Sequence, residues 1–119
     1  MLVQNCAITL AKDYRLPIGG GSECPFPTKG DAIGVYWWYA YSLDASGKNV
    51  TLAKLENSPA TYESCKKSTK YVKGLTYPTL GDVLCYVGNG VVAALAFTAN
   101  SEGGTSPGFA EFNLTIWQG

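Results

Sequence analysis

The chain has 119 residues, 46% of them hydrophobic and only 15% charged, with nine basic and nine acidic side chains balancing to zero. That length makes one domain, residues 1–119, large enough to bury a core of its own. Zero net charge supplies no electrostatic footprint for DNA or RNA and no pull toward an anionic membrane surface.

No apolar run reaches the roughly 20 residues a membrane-spanning helix needs. The longest, Val91 to Phe97, is strand-length, so no membrane insertion is expected. No signal-peptide pattern follows Met1; if the protein is exported, its leader is expected to have been removed.

In chain order, Cys6 to Leu10 reads as a short strand. Pro17 to Gly30 follows, with Gly19-Gly20-Gly21 and Pro25-Phe26-Pro27. Pro and Gly at that density continue neither a helix nor a central strand. Ile33 to Leu43 reads as a single strand rich in β-branched and aromatic residues. Asp44 to Asn49 is a turn and Val50 to Leu55 a second strand, so the pair is expected to form a hairpin. Ser58-Pro59 is the signature of a helix start, with Ser as N-cap and Pro at the first helical position. One short helix is expected near residues 59–69, with Glu63 in its first turn and Lys66, Lys67 and Lys70 toward its end. It would turn Tyr62 and Cys65 to one side.

Asp82 to Val87 and Val91 to Thr98 flank Gly88-Asn89-Gly90, a strong hairpin signal. Val92, Ala94 and Ala96 form a small-residue face on which the short helix or a second sheet is expected to pack. Ser101 to Gly108 is a loop. Ala110 to Trp117 alternates cleanly, with Ala110, Phe112, Leu114 and Ile116 on one face. The sum is an all-β fold: a small disulfide-bonded sandwich or partly open barrel with one short helix.

The cysteines are Cys6, Cys24, Cys65 and Cys85. None forms a Cys-x-x-Cys unit and the chain holds no histidine, so no metal site is expected. Two disulfides fit better, and of three connectivities the sequential one, Cys6–Cys24 and Cys65–Cys85, is favoured. Four buried thiols in a cytosolic protein are the alternative. Disulfides point to a secreted or extracytoplasmic protein.

Five aromatic rings fall between Tyr36 and Tyr41. Alternation puts Ile33, Val35, Trp37, Tyr39, Tyr41 and Leu43 on an apolar face, which should be the core face. Tyr36 and Trp38 fall on the other face, which ends in Ser42 and Asp44. They are the rings a ligand can use, and the outward Trp117 would extend them if the last strand lies alongside. The competing expectation is that a helix or loop covers them.

Without histidine, Ser–His–Asp and Cys–His schemes are excluded within this chain. No Walker loop or nucleophile elbow is present, and Gly19-Gly20-Gly21 reads as a flexible loop. Asp82 and Glu111 are the carboxylates available to a glycosidase, at positions where solvated acids are ordinary. No catalytic residue and no cofactor are expected.

The stretches "TYESCKKSTKY", "LGDVLCYVGNGVVAALAF" and "FAEFNLTIW" resemble a β-domain of actinobacterial secreted proteins and lipoproteins, found also outside the membrane in some serine/threonine kinase-like proteins. The resemblance covers roughly residues 50–118, through Cys65, Cys85, the Gly88–Gly90 turn and Trp117; the aromatic run falls outside it. It implies an extracytoplasmic, non-catalytic module in which Cys65 pairs with Cys85, and it brings no ligand.

The expected function is therefore a binding module for carbohydrate or a cell-wall polymer, using Tyr36, Trp38 and Trp117. The alternative is a structural or protein–protein interaction module, including a self-assembling homo-oligomer, with the same rings as interface. A secreted inhibitor or toxin presenting the loop from Ser22 to Pro27 is a third expectation.

Overall fold

A computed structural model describes residues 2–38, 42–55, 59–99 and 109–119, with Trp38 described by its backbone alone. The strands are β1 (Val3–Ala11), β2 (Arg15–Pro17), β3 (Gly34–Trp38), β4 (Ser42–Ser46), β5 (Thr51–Leu55), β6 (Tyr71–Val72), β7 (Gly74–Thr76), β8 (Val83–Gly88), β9 (Val91–Phe97) and β10 (Phe109–Gln118); the helix α1 is Tyr62–Lys67. They form two antiparallel sheets that do not close into a barrel. One sheet has the order β1-β10-β9-β8-β5-β6, the other β2-β3-β4-β7.

The main core lies between the sheets. Leu16, Val35, Trp37, Leu43 and Leu75 from the small sheet meet Leu10, Leu84, Tyr86, Leu95, Phe112 and Leu114 from the large one. The expected face of β10 is the buried one, from Ala110 through Ile116. Phe112 stands opposite Phe97 across the β9–β10 ladder, with ring centroids 5.5 Å apart. Trp37 is 1% exposed, so truncation to Ala would cost about 3–5 kcal/mol.

A second, smaller core sits on the outer side of the large sheet. There α1 lays Cys65 and Tyr62 over Ala53, Cys85, Val92 and Ala94. The small-residue face of β9 thus receives the helix. The expected bonds are both present: Cys6–Cys24 ties the Gly- and Pro-rich loop to β1, and Cys65–Cys85 bolts α1 to β8.

The β8–β9 hairpin turns on Asn89 and Gly90, with φ of 50° and 80°. Two successive positive φ values are what a two-residue type I′ turn requires, and Asn-Gly is a pair that tolerates them.

Several expectations are corrected. The aromatic run is not one strand over Ile33 to Leu43. β3 ends at Trp38 and the chain returns as β4, with Trp37 opposite Leu43 and Trp38 opposite Ser42. Residues 39–41, with Tyr39 and Tyr41, lie outside the described residues. The face assignment holds where it can be followed, because both members of a directly opposed antiparallel pair point to one side. In this register opposed residues share the same parity (36 with 44, 37 with 43), so a hairpin and a single strand sort them alike.

The expected pairing of Ile33–Leu43 with Val50–Leu55 does not occur. β4 belongs to the small sheet and β5 to the large one, between β8 and β6. Gly47 (φ 114°) and Asn49 (φ 59°) supply the backbone reversal that carries the chain between sheets.

The helix is N-capped by Thr61 rather than Ser58, which lies outside the described residues. Thr61 Oγ1 accepts from the Ser64 backbone N–H at 3.1 Å, and the Thr61 N–H donates to Ser64 Oγ at 2.9 Å. This reciprocal cap satisfies two donors that Pro59 leaves untouched. Inside the breaker-rich stretch, β2 was not anticipated. It is three residues long, ends on a proline and is bridged to Thr28 on its outer side, as edge strands tolerate. The expected loop at Ser101–Gly108 lies outside the described residues.

Candidate functional site

The outer face of the small sheet carries one row of residues across four strands, with side chains from three of them. Arg15 on β2 stands opposite Tyr36 on β3, Tyr36 opposite Asp44 on β4, and Asp44 opposite Gly74 on β7. Neighbouring strands are about 4.8 Å apart, so the row places a cation, a ring and a carboxylate side by side on one surface.

Each member is held. The Arg15 guanidinium carbon lies 5.7 Å from the Tyr36 ring centroid, and Arg15 Nη1 pairs with Asp31 Oδ1 at 3.4 Å. The pair is open to water, so its value is positional more than energetic. Asp44 Oδ1 accepts from Ser42 Oγ at 2.6 Å. A Cβ at Gly74 would run into that same carboxylate oxygen, so glycine is what lets Asp44 lie across β7. Tyr36 and Asp44 are both half-buried.

Beyond Arg15 the face opens into a groove of about 490 Å³, lined by Arg15, Asp31, Ala32, Ile33, Ser46 and Gly47. Ser46 Oγ donates to the Ala32 carbonyl at 2.9 Å, which pins the far wall. Ile33 is 44% exposed and supplies an apolar flank. The surface therefore gathers a half-buried ring with a guanidinium over it and a carboxylate acceptor on the neighbouring strand.

The three rings singled out from sequence do not come together. Tyr36 is on this face. Trp38 has its backbone two residues further along β3, paired with Ser42, and its side chain lies outside the described residues. Trp117 is on β10 of the other sheet, between β1 and β9, and its ring meets Tyr62 of α1 edge-on at 6.4 Å. The extended platform is thus corrected: Trp117 belongs to the small core under the helix, because β10 is not a neighbour of β3. Arg15 and Asp44 were not singled out; only strand register brings positions 15, 36 and 44 into line.

The two carboxylates weighed for hydrolysis occupy separate elements. Asp82 Oδ2 accepts from the Thr79 backbone N–H at 2.9 Å and caps its own turn, while Glu111 stands on β10 opposite Thr9. Among the described residues no helix is long and apolar enough to cross a membrane. No family model, curated protein or solved structure matches this chain.

Proposed function

We propose that this chain is a non-catalytic extracytoplasmic binding module whose ligand is carbohydrate, held on the outer face of the small sheet. The observation that carries the proposal is the Arg15–Tyr36–Asp44 row. Sugars present apolar C–H faces ringed by hydroxyls. A Tyr ring suits the first, and a flanking guanidinium and carboxylate suit the second, as donor and acceptor. The adjoining groove gives a polymer room to continue, and Trp38 is retained in the proposal by its place on β3. Two disulfides support an oxidising, extracytoplasmic setting. The resemblance of residues 50–118 to an exported domain points the same way.

The test is retention on insoluble polysaccharides and cell-wall preparations, wild type against Tyr36→Ala, with circular dichroism to verify folding. Removing a central aromatic anchor costs about 2 kcal/mol, roughly thirtyfold in affinity. Wild-type retention with loss in the folded variant is expected. Equal retention of the two, or none of either, would refute the assignment.

A second reading, a protein interaction or self-assembling module, is favoured by β1. It is nine residues long, carries no charge, and among the described residues pairs only with β10. Open edges of that kind recruit further strands. Its first half is distorted by the irregularity between Val3 and Cys6, which leaves Ala7 to Ala11 regular. Light scattering across a concentration series discriminates, since this reading requires mass to rise with concentration.

A further inference from the structure

Zero net charge hides a segregation. Residues 54–73 hold five of the nine cations (Lys54, Lys66, Lys67, Lys70 and Lys73) and two acids, Glu56 and Glu63. The rest of the chain holds four cations and seven acids. A sequence segment of charge +3 is thus balanced by −3 elsewhere in the chain. In the fold the described residues of this segment lie where β5, α1 and β6 meet at one edge of the large sheet, and Lys73 leads from β6 into β7 of the small sheet.

Within this segment, Lys54, Lys67 and Lys70 converge on a groove of about 320 Å³ whose lining includes Ser68 and Thr69. Three elements supply these lysines: β5, the end of α1, and the segment after it, whose Lys70 carbonyl accepts from the Lys54 N–H at 3.1 Å. Lys66 and Lys67 have an ordinary local reason to be there, since cations suit a helix C-terminus. Lys54 is on a strand and has no such reason. Among the described residues neither Lys54 nor Lys67 has an ion-pair partner.

We propose that this groove binds a linear acidic polysaccharide, independently of the Tyr36 face. A single exposed charge pair is worth little and is screened by salt. Only a ligand that repeats its negative charge gains from several lysines at once. The lining favours a hydroxylated acidic polymer over nucleic acid. It offers point charges and hydroxyls, but no arginine for bidentate phosphate contact and no ring for base stacking.

The test uses fluorescence anisotropy of end-labelled heparin oligosaccharide with the intact protein across a sodium chloride series. Wild type is expected to bind at low salt and to weaken linearly on a log–log plot. Lys54→Ser with Lys67→Ser is expected to lose about tenfold or more and to reduce the slope by about two. Lys67→Glu, on the exposed helix face, is expected to lose affinity in the same direction should the Lys54 change disturb β5. Lys29→Ser with Lys48→Ser removes the same charge elsewhere and is expected to leave binding within about twofold. No binding by wild type, an equal loss in the remote pair, or tighter binding of duplex DNA of matched charge would each overturn the proposal.

Discussion

Tyr86 gives the sharpest prediction, because its sign runs against the usual expectation for a core substitution. The side chain is fully buried on β8, and its hydroxyl finds no hydrogen-bond partner among the described residues. An orphaned buried polar group costs about 1–3 kcal/mol. Tyr86→Phe removes that group and keeps the ring, so it is expected to stabilise the fold by about 1–2 kcal/mol and raise Tm by roughly 4 °C or more. Burial also pushes the phenol from 10.0 up to about 12. The folded state therefore holds this proton longer than the unfolded state. The associated stability is complete below pH 10 and is lost as pH climbs toward 12. Linkage makes the loss about 1 kcal/mol at pH 11, approaching about 3 kcal/mol above pH 12. Urea titrations followed by tryptophan fluorescence at pH 7 and pH 11 measure both effects. The variant is expected to be more stable at pH 7 and to lose less between the two conditions. A phenylalanine variant destabilised by over about 1 kcal/mol, or one with the wild-type alkaline loss, would sink the assignment of an unpaired hydroxyl.

Gly34→Ala is expected to destabilise by about 2 kcal/mol or more, because the new Cβ would run into the Leu16 carbonyl oxygen and lie 2.9 Å from the Ile18 nitrogen, both backbone atoms. Gly20→Ala, with open space around it, serves as the near-neutral control in the same denaturation assay. Under native conditions with thiol reductant and alkylation, Cys6–Cys24 is expected to open first: Cys24 is exposed, while Cys65 and Cys85 are about 1% exposed or less. Mass mapping of alkylated peptides reads the order, and early labelling of Cys65 would contradict it. Replacing Cys65 and Cys85 together with Ala is expected to cost about 3 kcal/mol through the 20-residue separation they close, measured as a shift in urea midpoint. Asp44→Asn preserves shape and removes charge, so it should weaken polysaccharide retention several-fold while leaving Tm nearly unchanged; unaltered retention would remove Asp44 from the site.

Much of the architecture was legible because it depends on local rules. Asn89-Gly90 between two apolar runs specifies a primed turn, and the β8–β9 hairpin follows. The alternation of Ala110, Phe112, Leu114 and Ile116 specifies a buried face, and β10 follows. The small side chains of β9 imply close packing, and α1 supplies it. The Ile33–Leu43 run was harder. Its one glycine, Gly34, comes at the start and no Gly, Pro or Asn follows before Gly47, so nothing in composition announces that β3 ends at Trp38. The same parity that hid the hairpin also kept the face assignment right.

The candidate site was half legible. Alternation identified Tyr36 as outward, but outward is a direction along one strand and says nothing of what lies beside it. Trp117 has the same alternation signal as Tyr36 and a different fate, because α1 covers its side of the large sheet. Arg15 sits next to the breaker-rich stretch and Asp44 at what reads as a turn, so neither attracts notice until strand register aligns them with Tyr36.

Period-two alternation, turn chemistry and cysteine count act over a few residues, and by themselves they determined the all-β class, the paired cysteines and which side of each strand is apolar. Which strands become neighbours depends on contacts between distant residues, through loop closure and the fit of one sheet on the other. That is why only the tertiary structure decided that β4 and β5 part company, that Trp117 lies under the helix, and that Arg15, Tyr36 and Asp44 share one surface.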